Sequence, residues 1–280
     1  MNDKTIQAAH LPIGKLRSFA GNPFQVRNDD EMEQLIFSIL SQGVLTPVMV
    51  RPLENGEYEV ISGHRRVHAC KKAGIDTVPA LIYCLDRDEA AIALVDSNLH
   101  RERILPSEKA FAYKLKRDAM NHQGKTSPQL GEKLLTVEKI GLDSGDSKNQ
   151  VLRYIRLTYL IPGILRMVDE GRIALTPAVE LSYLAEQEQW DLLETMECED
   201  CTPSLSQAVQ LKKLSQAGEL DMDIIFELLR LPKANQKDKI SFRVDELRKF
   251  FPKSYSAAKI QDTILKLITE YYRKRGREER

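Results

Sequence analysis

The stretch Val60-Ile61-Ser62-Gly63-His64-Arg65-Arg66-Val67-His68-Ala69 decides the fold. An apolar strand runs into a glycine, then a histidine and two arginines, and a helix begins. Glycine permits the sharp strand-to-helix turn and lets the backbone approach a ligand closely. The N–H groups at a helix start, with the macrodipole behind them, favour negative charge. Arg65 and Arg66 add forked donors matched to phosphate oxygens. The same residues can equally make a plain turn whose arginines form surface ion pairs, so the motif must be weighed with its neighbours.

Outward from this turn, the chain alternates helices and strands. Met32, Leu35, Ile36, Ile39 and Leu40 lie at helical spacing within Asp29–Gln42, and Gly43 closes that helix. Pro47–Arg51 and Tyr58–Ile61 read as strands joined through the turn signal Asn55-Gly56. A helix over Arg65–Lys72 ends at Gly74, a strand follows over Thr77–Tyr83, and an Ala- and Leu-rich helix covers Asp88–Leu99. Residues 1–20 read as a partly mobile lead-in. Residues 1–104 are thus a small α+β domain with the phosphate turn at its centre.

From Pro106 the pattern is almost entirely helical, and residues 105–230 form a second, all-α domain. Its first helix runs to Asn121, with Pro106 in the first turn. Gly124-Lys125-Thr126 lacks the upstream glycine of a P-loop and follows a helix, which excludes that motif. Residues 135–160 have the shape of a helix-turn-helix. A short helix over Thr136–Ile140 ends at Gly141, and a longer one starts at Ser147 with the capping-box pattern Ser147-Lys148-Asn149-Gln150. Val151, Leu152, Ile155 and Tyr159 form its apolar back, while Asn149, Arg153 and Arg156 form a polar front suited to base edges and phosphates. Lys109, Lys114, Lys116 and Arg117 on the preceding helix could add phosphate contacts. Further helices read at Pro162–Glu170, Pro177–Ala185, Trp190–Met196 and Ser204–Gln216.

Residues 231–280 change character. Leu231–Lys239 is a lysine-rich linker, Ile240–Val244 reads as a strand, and Ile260, Ile264, Leu267, Ile268 and Tyr271 stripe one helix face. So small a segment has little core of its own, which makes it a candidate dimerisation element. The basic end Arg273–Arg277 suits either nonspecific DNA contact or a solvated helix end.

Composition sets the frame. The chain has 280 residues, 42% hydrophobic and 29% charged, with 41 basic against 41 acidic side chains. A nucleic-acid binder of zero net charge must concentrate its positive charge locally. No apolar run approaches the roughly 18 residues of a membrane span, and Met1–Leu11 has no signal-peptide core. The expected location is cytoplasmic. Cys70 and Cys84 lie in apolar-rich segments and read as buried free thiols. Cys198 and Cys201 have CxxC spacing without two further ligands nearby, so they read as a loop coincidence.

The phosphate turn resembles the glycine-arginine box of ParB-type partition proteins. Asn22-Pro23-Phe24-Gln25-Val26-Arg27, Gly43-Val44-Leu45-Thr46-Pro47 and Asn98-Leu99-His100-Arg101-Glu102 resemble three further blocks of that family, in the same order. The resemblance covers roughly the first 120 residues. It implies a fold shared with sulfiredoxin, then a helix-turn-helix domain and a small C-terminal strand-helix module. It implies CTP with Mg²⁺ in the first domain, held by Arg27, Gly43, Thr46, Pro47, Gly63, His64, Arg65, Arg66, Asn98 and Arg101, with Asn98 at the metal. It implies double-stranded DNA at a specific, palindromic site, read by Ser147, Lys148, Asn149, Gln150, Arg153 and Arg156. A homodimer, a ParA-type ATPase partner and no membrane complete the expectation.

Two positions depart from the family. His64 stands where it has glutamate, and Ser97 where an acidic residue precedes the asparagine, with Asp96 one residue further back. The expectation is retained phosphate recognition with weak or absent CTP hydrolysis. The runner-up is a helix-turn-helix transcriptional regulator whose first domain only docks partners. A remote alternative is a nuclease, which needs clustered carboxylates to hold metal, and the Gly63–Arg101 neighbourhood supplies few. Sulfiredoxin-type chemistry would fall to Cys70, which a helix turns toward the core.

Overall fold

The computed structural model describes residues 6–99, 101, 104–123, 130–231, 248–252, 255–256, 259–260 and 262–269. Residues 1–231 form one compact unit and residues 232–280 another.

Strands β1 (Ile6–Pro12), β2 (Leu16–Ser18), β3 (Val48–Pro52), β4 (Tyr58–Ser62) and β5 (Thr77–Tyr83) build one mixed sheet in the order β1-β5-β3-β4-β2. β1 runs antiparallel to β5, β5 parallel to β3, β3 antiparallel to β4, and β4 parallel to β2. The lead-in expected over residues 1–20 is therefore corrected: from Ile6 onward it supplies both edges of the sheet. Ile6–Pro12 pairs residue by residue with Thr77–Tyr83, and Leu16–Ser18 pairs with Tyr58–Val60. β1, with its adjacent Ala8 and Ala9, and β2, only three residues long, lack the apolar alternation that marks a strand in sequence. Backbone ladders hold them instead.

The sheet is covered on both faces. Helices α1 (Asp30–Gln42) and α2 (His64–Lys72) bring Met32, Ile39, Val67 and Cys70 against Val48, Val50, Val60 and Val78. On the other face, α3 (Arg87–Asp96) and α4 (Pro106–Gln123) pack Ala90, Leu94 and Ala112 around Ile61, Phe19 and Phe24. Val60 and Ile61 are adjacent and both buried because successive side chains point to opposite faces. Asp29 caps α1 by accepting from the Met32 N–H at 2.9 Å. Gly43, at φ 74°, ends that helix as expected, with its N–H bonded to the Ile39 carbonyl.

α4 carries the chain into the helical region: α5 (Leu130–Ser144), α6 (Lys148–Leu157), α7 (Pro162–Asp169), α8 (Leu175–Leu181), α9 (Glu186–Cys198), α10 (Leu205–Ala217) and α11 (Met222–Arg230). Tyr113 of α4, Val137 and Ile140 of α5, and Val151 and Ile155 of α6 share one core. The helix expected to stop at Gly141 runs on to Ser144. Gly141 serves packing instead: a Cβ there would lie 2.6 Å from the Asp146 carbonyl oxygen, where the following turn folds back. Gly145, at φ 74°, lies in the turn that follows the helix. Beyond the last helix expected from sequence, α11 is capped by Asp221 and closes a core of α6–α11 residues that includes Ile164, Leu181, Leu192, Leu211 and Ile225.

In the second unit, residues 262–269 are helical, with Leu265, Leu267 and Ile268 exposed and Ile260 buried. The strand expected at Ile240–Val244, the linker from Pro232 to Lys239, the tail Arg273–Arg277, Tyr271 and the Gly124–Thr126 loop lie outside the described residues. Among the described residues, no helix is long and apolar enough to cross a membrane.

Candidate functional site

Gly63 ends β4 and caps α2 at φ 98°, in the left-handed region. A Cβ there would meet Val48 Cγ1 at 2.8 Å and Arg66 Nη2 at 3.1 Å. Glycine is thus required by both backbone and space. The N–H groups of the first turn of α2 have no partner within the helix and face the region after β4.

Arg66 and Arg65 do different work. The Arg66 guanidinium turns back and donates through Nη1 to the carbonyls of Thr46 and of Pro47, the latter at 2.8 Å. It fastens the Gly43–Pro47 turn to the phosphate turn, and burial holds its pKa below the usual arginine range. Arg65 instead crosses to α1, donating to Glu31 Oε2 at 3.0 Å with Asp29 Oδ1 at 3.5 Å.

Two adjoining hollows meet at this ion pair. One, of about 470 Å³, is lined by Ser62, Gly63, Arg65, Arg66, Asn98 and Arg101 among others. The other, of about 400 Å³, adds Gln25, Arg27 and Glu108. Glu31, Arg65 and Arg101 belong to both. Arg101 lies over the Phe24 ring, 5.5 Å from its centroid, and desolvation keeps its pKa lowered. Glu108 of α4 accepts from the backbone N–H of Gln25 at 3.0 Å and of Leu105 at 3.1 Å. The site is an anion groove lined by four arginines, Arg27, Arg65, Arg66 and Arg101, with three carboxylates, Asp29, Glu31 and Glu108, already paired or bonded at its rim.

Asn98 is buried, and its Nδ2 donates to the Leu94 carbonyl at 2.7 Å and lies 3.2 Å from Ser97 Oγ. Asp96 is taken by Lys116 Nζ at 2.6 Å, so it does not stand in for the missing acid. Among the described residues, no group of three His, Cys, Asp or Glu could hold a metal ion. Asn98 leaves one amide oxygen for a hard cation, a poor fit to Mg²⁺, which normally takes carboxylates together with phosphates.

Among the residues expected here, Gly63, Arg65, Arg66, Asn98 and Arg101 come together. Arg27 lines the adjoining hollow, and Gly43, Thr46 and Pro47 form the fastened turn. His64 lines a separate pocket behind α2 instead. Sequence reasoning missed Asp29, Glu31 and Glu108. The first two were legible only as acids at a helix start, and nothing local marks them as partners of Arg65.

Along α6, Ser147 caps the helix by accepting from the Gln150 N–H at 3.2 Å. Asn149 is exposed, and Lys148 pairs with Glu138 at 2.7 Å. Arg153 reaches Gln150 Oε1 at 3.4 Å and Thr176 Oγ1 at 2.5 Å. Arg156 donates to Ser182 Oγ and to its carbonyl at 3.0 and 2.7 Å, and stacks 3.9 Å from the Tyr183 centroid. The expected phosphate role of the α4 cations is corrected for Lys116, which is 1% exposed and held by Asp96 and Asp143. Lys109 is engaged with Asp146 at 2.8 Å, and Arg117 with Asp118 at 2.6 Å.

All four cysteines are free. Cys70 is buried as expected, and desolvation raises its pKa, which leaves an inert thiol rather than a nucleophile. Cys84, expected to be buried, is exposed: β5 ends at Tyr83, so the inward alternation of Val78, Ala80 and Ile82 stops before it.

Residues 2–99 match the ParB N-terminal domain family. The probable chromosome-partitioning protein ParB of Vibrio cholerae is 27% identical over 87% of this chain and 84% of its own length. The chromosome-partitioning protein Spo0J of Thermus thermophilus is 32% identical over 67% of this chain, a stretch spanning 64% of that protein. Among solved structures, the C-terminally truncated ParB of Caulobacter crescentus complexed to the centromeric parS site is 23% identical. It covers 80% of this chain and 100% of that chain, with a TM-score of 0.43.

Proposed function

The chain belongs to the ParB-type partition protein family, and from that premise we propose that it works as a CTP-responsive DNA clamp in the segregation or maintenance of a chromosome, plasmid or mobile element. The observation that carries this reading is the convergence of the left-handed Gly63 turn with Arg65, Arg66, Asn98 and Arg101 on one groove. The triphosphate lies against the start of α2, where unpaired N–H groups and the helix dipole favour negative charge. Arg65 leaves Glu31 to meet it, while Arg66 keeps the Thr46–Pro47 turn in place as the wall of the groove. Magnesium, when present, is carried by the nucleotide's own oxygens with Asn98 as the one protein donor offered. With His64 and Ser97 at the two positions where the family has acids, neither position supplies a carboxylate to orient a water, so hydrolysis is weak or absent.

In the second part of this proposal, α5 and α6 are the two helices of a helix-turn-helix. The exposed front of α6, from Ser147 to Arg153, enters the major groove of a palindromic site. Residues 232–280 join two copies, with the exposed Leu265, Leu267 and Ile268 as the apolar contact. A ParA-type ATPase is the partner expected to move the complex.

Calorimetric titration of the full chain with CTP and Mg²⁺ tests the reading, with ATP, GTP and UTP as comparisons and Arg65→Ala as control. CTP-selective binding, lost in the variant, supports the clamp. Absence of binding, with and without cognate DNA, leaves a fixed DNA-binding adaptor or regulator.

A further inference from the structure

Helix α2 has a second face, turned away from the nucleotide groove, and it walls a separate pocket of about 190 Å³. His64, His68 and Lys71 line it from α2, and Arg17 and Ser18 from β2, over an apolar floor that includes Val60.

His64 is 8% exposed, and its Nε2 is buried with no hydrogen-bond partner. The ring makes a backbone hydrogen bond to Val60. With Nε2 unpartnered, that bond runs from Nδ1–H to the Val60 carbonyl, so Nε2 carries a lone pair. Leaving a buried polar atom unsatisfied costs about 1–3 kcal/mol. Native proteins rarely keep one without a reason.

The neighbours define what can fill the vacancy in bonding. Lys71 has no ion-pair partner among the described residues. Arg17 is held in place by Glu57 and by the Gly14 carbonyl, so its charge is compensated and Lys71 is the cation left to meet an anion. His68 Nε2 lies 2.9 Å from Asn28 Oδ1, which makes Nε2 the protonated nitrogen. A divalent cation would meet Lys71 and is disfavoured, although His64 and His68 stand at i and i+4. A fully ionised anion such as sulfate would set lone pair against lone pair at His64. The required ligand is anionic and still carries an O–H. Free hydrogen phosphate meets both conditions at neutral pH. A phosphate monoester, with a second pKa of about 6, has mostly lost that proton.

We propose that this pocket is a site for free hydrogen phosphate, its P–OH donating to His64 Nε2 and its ionised oxygens accepting from Lys71 and the Ser18 hydroxyl. The site is separate from the nucleotide groove, and its test does not depend on that groove.

The experiment follows the imidazole ¹⁵N signals of the full chain during titration with inorganic phosphate at fixed ionic strength. Sulfate, glycerol phosphate and Zn²⁺ are titrated in parallel. Saturable movement of the His64 signal by phosphate, persisting in Arg65→Gln and about tenfold weaker in Lys71→Gln, supports the site, provided sulfate is at least that much weaker. Lys71 is exposed, so its variant keeps the fold. Four results overturn the proposal. A His64 signal unmoved by phosphate shows that the anion does not reach Nε2. Equal action of phosphate and sulfate shows plain charge attraction. Loss of binding in Arg65→Gln places the anion in the nucleotide groove. Movement of His64 and His68 by Zn²⁺ but not by phosphate makes the pair a metal site.

Discussion

Lys116 Nζ lies 2.7 Å from Asp143 Oδ2, and the lysine side chain is 1% exposed. Its other partner is Asp96 at 2.6 Å. Asp96 ends α3, two residues before Asn98 of the groove, while Asp143 belongs to α5. One buried ammonium thus ties the groove-bearing domain to the helix that precedes α6. Removing one member of a buried ion pair typically costs about 3–5 kcal/mol. Both aspartates here keep access to water, so the lower end applies to Lys116→Ala. Lys116→Met loses the same charge but keeps the apolar stem packed between the helices, so it should cost less than Lys116→Ala. Urea unfolding midpoints measure the difference. Equal losses in the two variants would show that the charge, not the stem, holds the junction.

Arg65 is engaged before any nucleotide arrives. Its bond to Glu31 must break for the guanidinium to reach a phosphate, and Asp29 adds a weaker hold. Exposed pairs of this kind contribute about 0.2–1 kcal/mol. Glu31→Gln should therefore tighten CTP binding about two- to fivefold, with no change in nucleotide selectivity. Arg65→Ala should weaken it by tenfold or more, about 1.5–3 kcal/mol for a lost charged hydrogen bond. A titration in which Glu31→Gln weakens binding would instead make Glu31 a contact for the base, the ribose or the metal.

Much of this groove was legible from residue type and order. Gly63 announces a left-handed turn, and the two arginines after it announce an anion. The division of labour between them was not legible. Arg65 and Arg66 are adjacent on α2 and so point about 100° apart, one toward α1 and the other into the Thr46–Pro47 carbonyls. His64 fell the other way for the same reason: one residue earlier on the helix, it faces Leu16 and Val60 rather than the groove. The edge strands were missed because Ile6–Pro12 carries no alternation, and its pairing with Thr77–Tyr83 closes over a long stretch of chain. Gly141 misled because a glycine inside a helical pattern signals either an end or a close approach. Here it is the close approach of the Asp146 carbonyl.

His64 makes stability depend on pH. Burial is the main cause that lowers its pKa from 6.5 to about 4, with the Arg101 charge adding to the shift. In the unfolded chain the imidazole takes up a proton near pH 6.5, while in the folded chain it stays neutral down to about 4. The unfolded state therefore binds more protons between those values, and stability falls as pH drops through that window. The loss amounts to roughly 3 kcal/mol when complete. His64→Gln should flatten this part of the curve. Unfolding free energies taken across the window with both proteins check it. A parallel slope in the variant would assign the effect to other groups.

Arg153 and Arg156 stand on one helix but are committed differently, and this separates binding from folding. Arg156 is enclosed between Tyr159 and Tyr183, 4.6 and 3.9 Å from their centroids, and is bonded to both oxygens of Ser182. It ties α6 to the end of α8. Arg156→Ala should cost about 1–3 kcal/mol of stability through lost charged hydrogen bonds and stacking. Any DNA effect would then fall equally on all sequences. Among the described residues, Arg153 has Gln150 and Thr176 as its partners and can exchange them for a base edge. Arg153→Ala should leave the unfolding midpoint nearly unchanged and weaken specific binding by about 1–3 kcal/mol, with relaxed preference at one position of the site. Fluorescence anisotropy on cognate and scrambled duplexes at one salt concentration measures the two losses side by side. Unchanged affinity and preference in Arg153→Ala would move the reading surface off the front of α6, toward the exposed Asn149 at its start.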